Sequence, residues 1–334
     1  MAGRVIFVEP PGRSLEDNPL GDPTARRTPV YLPPSYDSEP ARRYPVLFAL
    51  AGYSATGEHY LNRHPWQPTL PALLDQMIAV GECEECIVVM PDCFTRWGGS
   101  QYLNSAGTGR YMDYLADDLV DFADRTFRTT IDGSGCAAVG ISSGGYGALV
   151  LGMLRPDRFT AVASHSGDCY FEWCYKPDLL KLLGKMEAAG GIEELVRQSE
   201  ANPYRGADIP FMNIIAMAAC YSPDPTQPLG LALPFDTTSG ELVPATWARW
   251  LEWDPVEMAP RQHQALRSLR LLYFDAGKRD EYSLQYGARV LASRLRALDV
   301  PFLHEEHDGT HSDLLYRFRR SLPLLVAALL GRSQ

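Results

Sequence analysis

The 334 residues carry 31 basic against 41 acidic side chains, a net charge of −10, with 46% hydrophobic and 22% charged residues. This is a globular composition with ample core material. No basic stripe exists, since Arg26-Arg27, Arg42-Arg43 and Arg319-Arg320 are only pairs, which argues against nucleic acid or an anionic membrane as partner.

Met1 to Pro10 does not fit a signal peptide, because its apolar stretch is short and runs into Glu9-Pro10. No segment reaches the ~18 apolar residues of a membrane-spanning helix. Seven cysteines, an odd count at irregular spacing, suit free thiols in a reducing compartment, so a cytoplasmic location is expected. Cys83-Glu84-Glu85-Cys86 precedes a strand rather than opening a helix and has no second pair, which speaks against a redox or zinc motif.

In chain order, Val5 to Val8 and Val30 to Leu32 read as early strands, the second closed by Pro33-Pro34. Tyr44 to Leu50 is a near-continuous apolar run, as expected of a strand buried on both faces. Leu70 to Val80 has helical spacing of its apolar residues, Ile87 to Met90 is a strand, and Tyr111 to Phe127 is an amphipathic helix. Cys136 to Ile141 is a strand followed at once by a helix to about Leu154, and Phe159 to Ser164 is the next strand. From Tyr170 to Gln264 there is no strong strand. Helical patches (Leu179 to Met186, Ile192 to Gln198, Met212 to Ala219) and a Pro-rich loop predict a cap-like helical insertion over the carboxyl edge of the sheet. Leu269 to Phe274 and Phe302 to Glu306 are the last strands, separated by a helix from Leu284 to Leu298, and a final helix follows His311. This alternation predicts one α/β domain over residues 1–334, with a mostly parallel sheet covered on both faces and the insertion at 170–264.

Val139-Gly140-Ile141-Ser142-Ser143-Gly144-Gly145-Tyr146-Gly147-Ala148 carries Gly-x-Ser-x-Gly between a strand and a helix. In that context the motif is a nucleophile elbow. The turn lifts the Ser142 hydroxyl clear of the sheet, and the glycines relieve crowding around it. A serine nucleophile needs a base, an acid to hold the base, and donors for the oxyanion. His304 and His307 fall on or near a strand and project to opposite faces, so a metal cluster of His304, His307 and His311 with Asp308 is disfavoured. His311 follows Gly309 in the loop and stands where the base is expected. Asp275, Asp280 and Glu281 compete for the acid after the strand that precedes them. The oxyanion donors are the N–H of Ser143, the residue after the nucleophile, and that of Tyr53, after Gly52 in the loop following Leu50.

With these residues in order, the chain resembles the esterase family of α/β-hydrolases that takes in esterase D (S-formylglutathione hydrolase), enterochelin esterases, feruloyl and acetyl-xylan esterases, and mycolyltransferases. Matching stretches are Val30-Tyr31-Leu32-Pro33-Pro34-Ser35-Tyr36, the elbow, Ala163-Ser164-His165-Ser166-Gly167, Asp275-Ala276-Gly277-Lys278-Arg279-Asp280 and Gly309-Thr310-His311-Ser312. The resemblance implies an α/β-hydrolase fold, with Asp280 as the acid and His311 as the base. It also implies cofactor-free cleavage of a small carboxylic ester or thioester. Where the family often has His or Asp before the oxyanion-loop glycine, this chain has Ala51.

Gly52, Trp97, Tyr102, Tyr111 and Trp253 are expected along the substrate pocket, and His165-Ser166-Gly167-Asp168 within its reach. The expected partner is a small-molecule ester, and homo-oligomerisation stays open. Two other readings compete with hydrolysis: acyl transfer to an alcohol, and a non-catalytic hydrolase-fold module that binds a partner through the insertion.

Overall fold

The computed structural model describes residues 2–131, 135–201 and 209–332. Ten strands are β1 (Arg4–Val8), β2 (Thr28–Leu32), β3 (Val46–Leu50), β4 (Ile87–Val89), β5 (Asn104–Ser105), β6 (Gly109–Arg110), β7 (Cys136–Ile141), β8 (Phe159–His165), β9 (Leu271–Gly277) and β10 (Leu303–His307). Eight of them form one sheet in the order β1-β2-β4-β3-β7-β8-β9-β10. From β4 to β10 every neighbouring pair is parallel, and β2 joins β1 and β4 antiparallel. This is the mostly parallel sheet of an α/β-hydrolase. The antiparallel edge and the small β5–β6 hairpin were not legible in the pattern.

Strand β3 explains why the sheet is central. All five of its residues are buried, and successive side chains alternate between two cores. Val46, Phe48 and Leu50 face one core, Leu47 and Ala49 the other. Helices α1 (Leu70–Ala79) and α9 (Phe318–Leu329) cover the second face with Leu70, Leu73, Leu74, Met77, Leu322 and Leu325. The first face is covered by α2 (111–126), α3 (Ser143–Leu154) and α8 (Leu284–Ala297). Each large apolar side chain buried there contributes about 1.5–3 kcal/mol.

The α2 helix contains a π-helical stretch at Tyr114–Leu119. Helix α9 starts later than the sequence pattern suggests and takes Pro323 into its interior. Between β8 and β9 lie, among the described residues, α4 (Lys176–Ala189), α5 (Ile192–Ala201), α6 (Ile209–Tyr221), α7 (Pro244–Leu251), three shorter α-helices and one 3-10 turn, and no strand of the main sheet. Helix α4 is longer than its apolar patch because Pro177 opens it and Gly190, at φ 92°, closes it. All seven cysteines are free and buried. No helix among the described residues is long and apolar enough to cross a membrane.

Candidate active site

Strand β7 delivers Ser142, and helix α3 leaves from it at the next residue. Ser142 has φ 57° and ψ −125°, a backbone region that a residue with a side chain adopts only under constraint. The constraint is visible. The Ser142 N–H donates to His165 O at 2.9 Å, and its carbonyl accepts from the Tyr146 N–H at 2.9 Å. Steric demand fixes the two glycines. A Cβ on Gly144 would lie 2.0 Å from Leu50 O, and one on Gly140 would lie 2.3 Å from the Gly144 backbone. The elbow is therefore pressed against both β3 and its own helix.

Asp280 and His311 reach Ser142 from the ends of β9 and β10. These strands run side by side in parallel, and their loops stay together beyond the sheet. The Lys278 N–H donates to His307 O at 2.8 Å, and the Arg279 N–H to Gly309 O at 3.1 Å. His311 Nδ1 is 2.9 Å from Asp280 Oδ2, and His311 Nε2 is 3.0 Å from Ser142 Oγ. The Asp280 side chain is fully buried and that of His311 16% exposed. Burial pulls the His311 imidazolium down, but the Asp280 carboxylate, with Asp168 and Glu281 further off, outweighs it and leaves the pKa above the ordinary histidine value. His311 itself sits in a bend, and the helical turn begins only at Leu314.

The rival acids have other partners. Glu281 accepts the His311 backbone N–H at 2.8 Å and so fixes the loop, not the imidazole. Asp275 lies within β9, where Oδ1 meets His165 Nδ1 at 2.9 Å and Oδ2 accepts from Tyr273 and Arg317. The other histidines are also engaged elsewhere: His304 stacks on Phe274, and His307 Nδ1 meets the Tyr316 hydroxyl at 2.8 Å.

Gly52 and Tyr53 face the elbow. A Cβ on Gly52 would lie 3.6 Å from Ser142 Cβ, in ordinary van der Waals contact, so the loop runs directly beside the nucleophile. The Tyr53 and Ser143 N–H groups donate to no group of the chain among the described residues, and Ser143 is the first residue of α3, where helix N–H groups point outward unpaired.

A cavity of about 240 Å³ opens on Ser142 and His311. It is lined by Gly52, Tyr53, Ser54, Ile141, Ser143, Asp168, Cys174, Tyr175, Pro210, Asn213, Tyr282 and Leu284. A larger hollow of about 700 Å³, between the α4–α5 region and residues 224–246, touches neither Ser142 nor His311.

Four of the aromatic expectations move. Trp97 and Tyr102 do not line the cavity; they lie under the Gly52 loop and hold it. Tyr53 donates its hydroxyl to Trp97 O at 2.7 Å, and Tyr102 donates to Ala51 O at 2.6 Å. Tyr111 is buried, and its hydroxyl accepts from Arg26 Nη2 at 2.7 Å. Trp253 packs on the core, and its carbonyl accepts from the Tyr146 hydroxyl at 3.0 Å. Apolar surface with a single polar atom is satisfied well inside a fold, which is why composition alone misplaces such residues. Of the stretch after β8, Asp168 reaches the cavity, whereas His165 is buried on Asp275 and Ser321. Tyr175 and Asn213 come from the helical segment and Tyr282 from the loop beside Asp280. No motif marks them.

The Putative esterase family matches residues 23–324. An endo-1,4-beta-xylanase/feruloyl esterase of Xylanibacter ruminicola is 27% identical over 184 residues, 53% of this chain and 25% of that protein, so the chain spans only a quarter of this relative. A ferulic acid esterase structure superposes with TM-score 0.64 at 20% identity, covering 98% of this chain and 99% of that one. An S-formylglutathione hydrolase from Agrobacterium tumefaciens gives TM-score 0.59 at 14% identity, covering 97% and 96%. Elbow, fold and family match agree: the chain belongs to the Putative esterase family, an enzyme family of carboxylic ester hydrolases with the α/β-hydrolase fold.

Proposed function

We propose that this protein is a serine hydrolase of small carboxylic esters or thioesters that works through an acyl-enzyme on Ser142. The observation that carries the proposal is the unbroken chain from Asp280 through His311 to Ser142, opening on a cavity of about 240 Å³. His311 Nε2 takes the Ser142 proton as Oγ attacks the acyl carbon. Asp280 holds the imidazole by Nδ1–H and stabilises the imidazolium that results. The Tyr53 and Ser143 N–H groups receive the oxyanion, a contribution of ~3 kcal/mol per donor in the transition state. His311 then returns its proton to the leaving alkoxide or thiolate. Water repeats the sequence from the same side, and Ser142 is released.

The segment 170–264 acts as a cap: Cys174, Tyr175, Pro210 and Asn213 form one wall of the cavity. The names of similar proteins make feruloyl esters and S-formylglutathione the first natural-type substrates to try. The test is a stopped-flow burst with p-nitrophenyl acetate. Release of about one equivalent of p-nitrophenol before the steady state supports the acyl-enzyme. The absence of turnover on every ester tried, with tight binding of a partner instead, overturns the enzyme reading. An added alcohol that captures the acyl group in preference to water assigns acyl transfer.

A further inference from the structure

At its deep end the cavity meets a carboxylate that the mechanism does not use. Asp168 is 8% exposed, and Tyr175 beside it 2%. Pro210, by contrast, is exposed, and Tyr282 is 39% exposed at the rim. One carboxylate oxygen of Asp168 is fully committed. Oδ2 accepts from the Tyr175 hydroxyl at 2.9 Å and from Gln101 Nε2 at 3.2 Å. Gln101 Nε2 also lies 3.1 Å from the Tyr175 hydroxyl and 3.0 Å from that of Tyr221. This buried clamp fixes the plane of the carboxylate. The other oxygen, Oδ1, takes no hydrogen bond from any described residue, and Asp168 lines the cavity. Burial pushes the Asp168 carboxyl above its ordinary pKa, the Tyr175 and Gln101 hydrogen bonds oppose that rise, and in the ionised form the carboxylate oxygen is an acceptor only. Open to the cavity and without a donor from the described residues, it is placed to accept a hydrogen bond from a bound molecule.

We infer that Asp168 Oδ1 is a specificity-determining acceptor that selects esters carrying a hydrogen-bond donor, a hydroxyl or an ammonium group, remote from the scissile bond. The inference rests on the esterase reading. Acceptor-only and anionic groups are rejected at the same point, because they would face an oxygen with nothing to donate. Asp168 forms no bond to Ser142 or to Asp280, so its role is in binding rather than in proton transfer.

The experiment measures kcat/KM by pH-stat on matched series. Ethyl alkanoates of increasing acyl length end in hydroxyl, ammonium or methyl, and alkyl acetates of increasing alcohol length do the same. For the wild type, the donor-ended ester exceeds its methyl counterpart by ~10- to 100-fold at one length, the preference expected of a hydrogen bond to a charged group. The hydroxyl and ammonium arms say which donor is read, and the two series say on which side of the ester it lies. In Asp168→Asn, Tyr175 and Gln101 orient the amide oxygen toward themselves and turn the NH₂ to the cavity. The donor preference then falls to about 1. This ratio is taken within one enzyme, so a lower yield of folded variant does not affect it. If Asp168→Asn does not fold, Asp168→Ala gives the same readout. A wild-type ratio below ~3 at every length in both series overturns the inference, as does a ratio that survives the substitution. If p-nitrophenyl acetate and all other esters are left intact by the wild type, the esterase reading itself has failed.

Discussion

His165 and Asp275 are register partners on the parallel strands β8 and β9, and their side chains meet at 2.9 Å with no solvent exposure. The pair explains why Asp275, the first acid after the apolar run of β9, is not the acid near His311. Burial alone pushes the Asp275 carboxyl up. His165, Arg317 and the Tyr273 hydroxyl more than offset it and bring the pKa to about 2, against an ordinary value of 3.8. A carboxyl depressed in the folded state stabilises the fold above its unfolded pKa, and that stability is lost as pH falls through the folded pKa. The expected outcome is a loss of roughly 2 kcal/mol between about pH 4 and pH 2 in urea-unfolding free energies. Asp275→Asn starts less stable at pH 7 and shows a flatter slope over that window. An unchanged slope contradicts the assignment.

The adjacent acids Asp280 and Glu281 separate by partner. Asp280 bonds the His311 ring, Glu281 its backbone N–H. Asp280→Asn is expected to lower kcat by ~10⁴-fold, because the imidazole loses its orienting anion and tautomer. Glu281→Gln keeps an acceptor for the N–H and is expected to cost less than ~10-fold. Steady-state kinetics on one ester compares them, and a reversed order assigns the acid to Glu281.

The pH profile follows from His311. The proposed base must be neutral to accept the Ser142 proton, and its pKa stands above the ordinary 6.5. Activity, read as kcat/KM, is therefore expected to rise with pH along a single limb centred above 6.5. Burial is the largest single effect and lowers that midpoint, and the Asp280 hydrogen bond and charge, with the charges of Asp168 and Glu281, together raise it more. In the residual activity of Asp280→Asn the limb moves to lower pH. A limb that stays in place shows that another group titrates.

Much of this site is legible in the sequence because the elbow is local. Strand, Gly140, Ser142, Gly144 and helix follow within a few residues, and each has a steric reason to be what it is. His311 is legible by its place in the loop after the last strand, since parallel strands put successive loops at one edge, whereas order leaves Asp275, Asp280 and Glu281 open and only the family resemblance favours Asp280. What the sequence conceals depends on packing between distant segments. Trp97 and Tyr102 differ from pocket aromatics only in that their polar contacts hold the Gly52 loop. Asp168 and Tyr175 become neighbours in the cavity only through the path of the helical segment after β8. The antiparallel β1–β2 edge is hidden for a related reason: short strands with few alternating positions do not reveal their direction.

Two glycines beside Ser142 carry different demands. Gly144→Ala would place a methyl 2.0 Å from a backbone oxygen of β3, whereas Gly52→Ala meets nothing closer than 3.4 Å. Gly144→Ala is expected to fold poorly or not at all. Gly52→Ala, whose methyl sits at ordinary van der Waals distance from Ile141 O and Ser142 Cβ, is expected to keep a cooperative thermal transition within a few degrees of wild type and a kcat within ~10-fold of it. Thermal unfolding with kinetics on the same samples distinguishes them. Equal loss of stability in both variants contradicts this reading.

The most direct test of the account is kcat for p-nitrophenyl acetate in wild type and Ser142→Ala, with circular dichroism to confirm that both are folded. A serine nucleophile predicts a loss of at least ~10⁴-fold together with disappearance of the burst. A folded Ser142→Ala that keeps wild-type turnover contradicts the account at its centre.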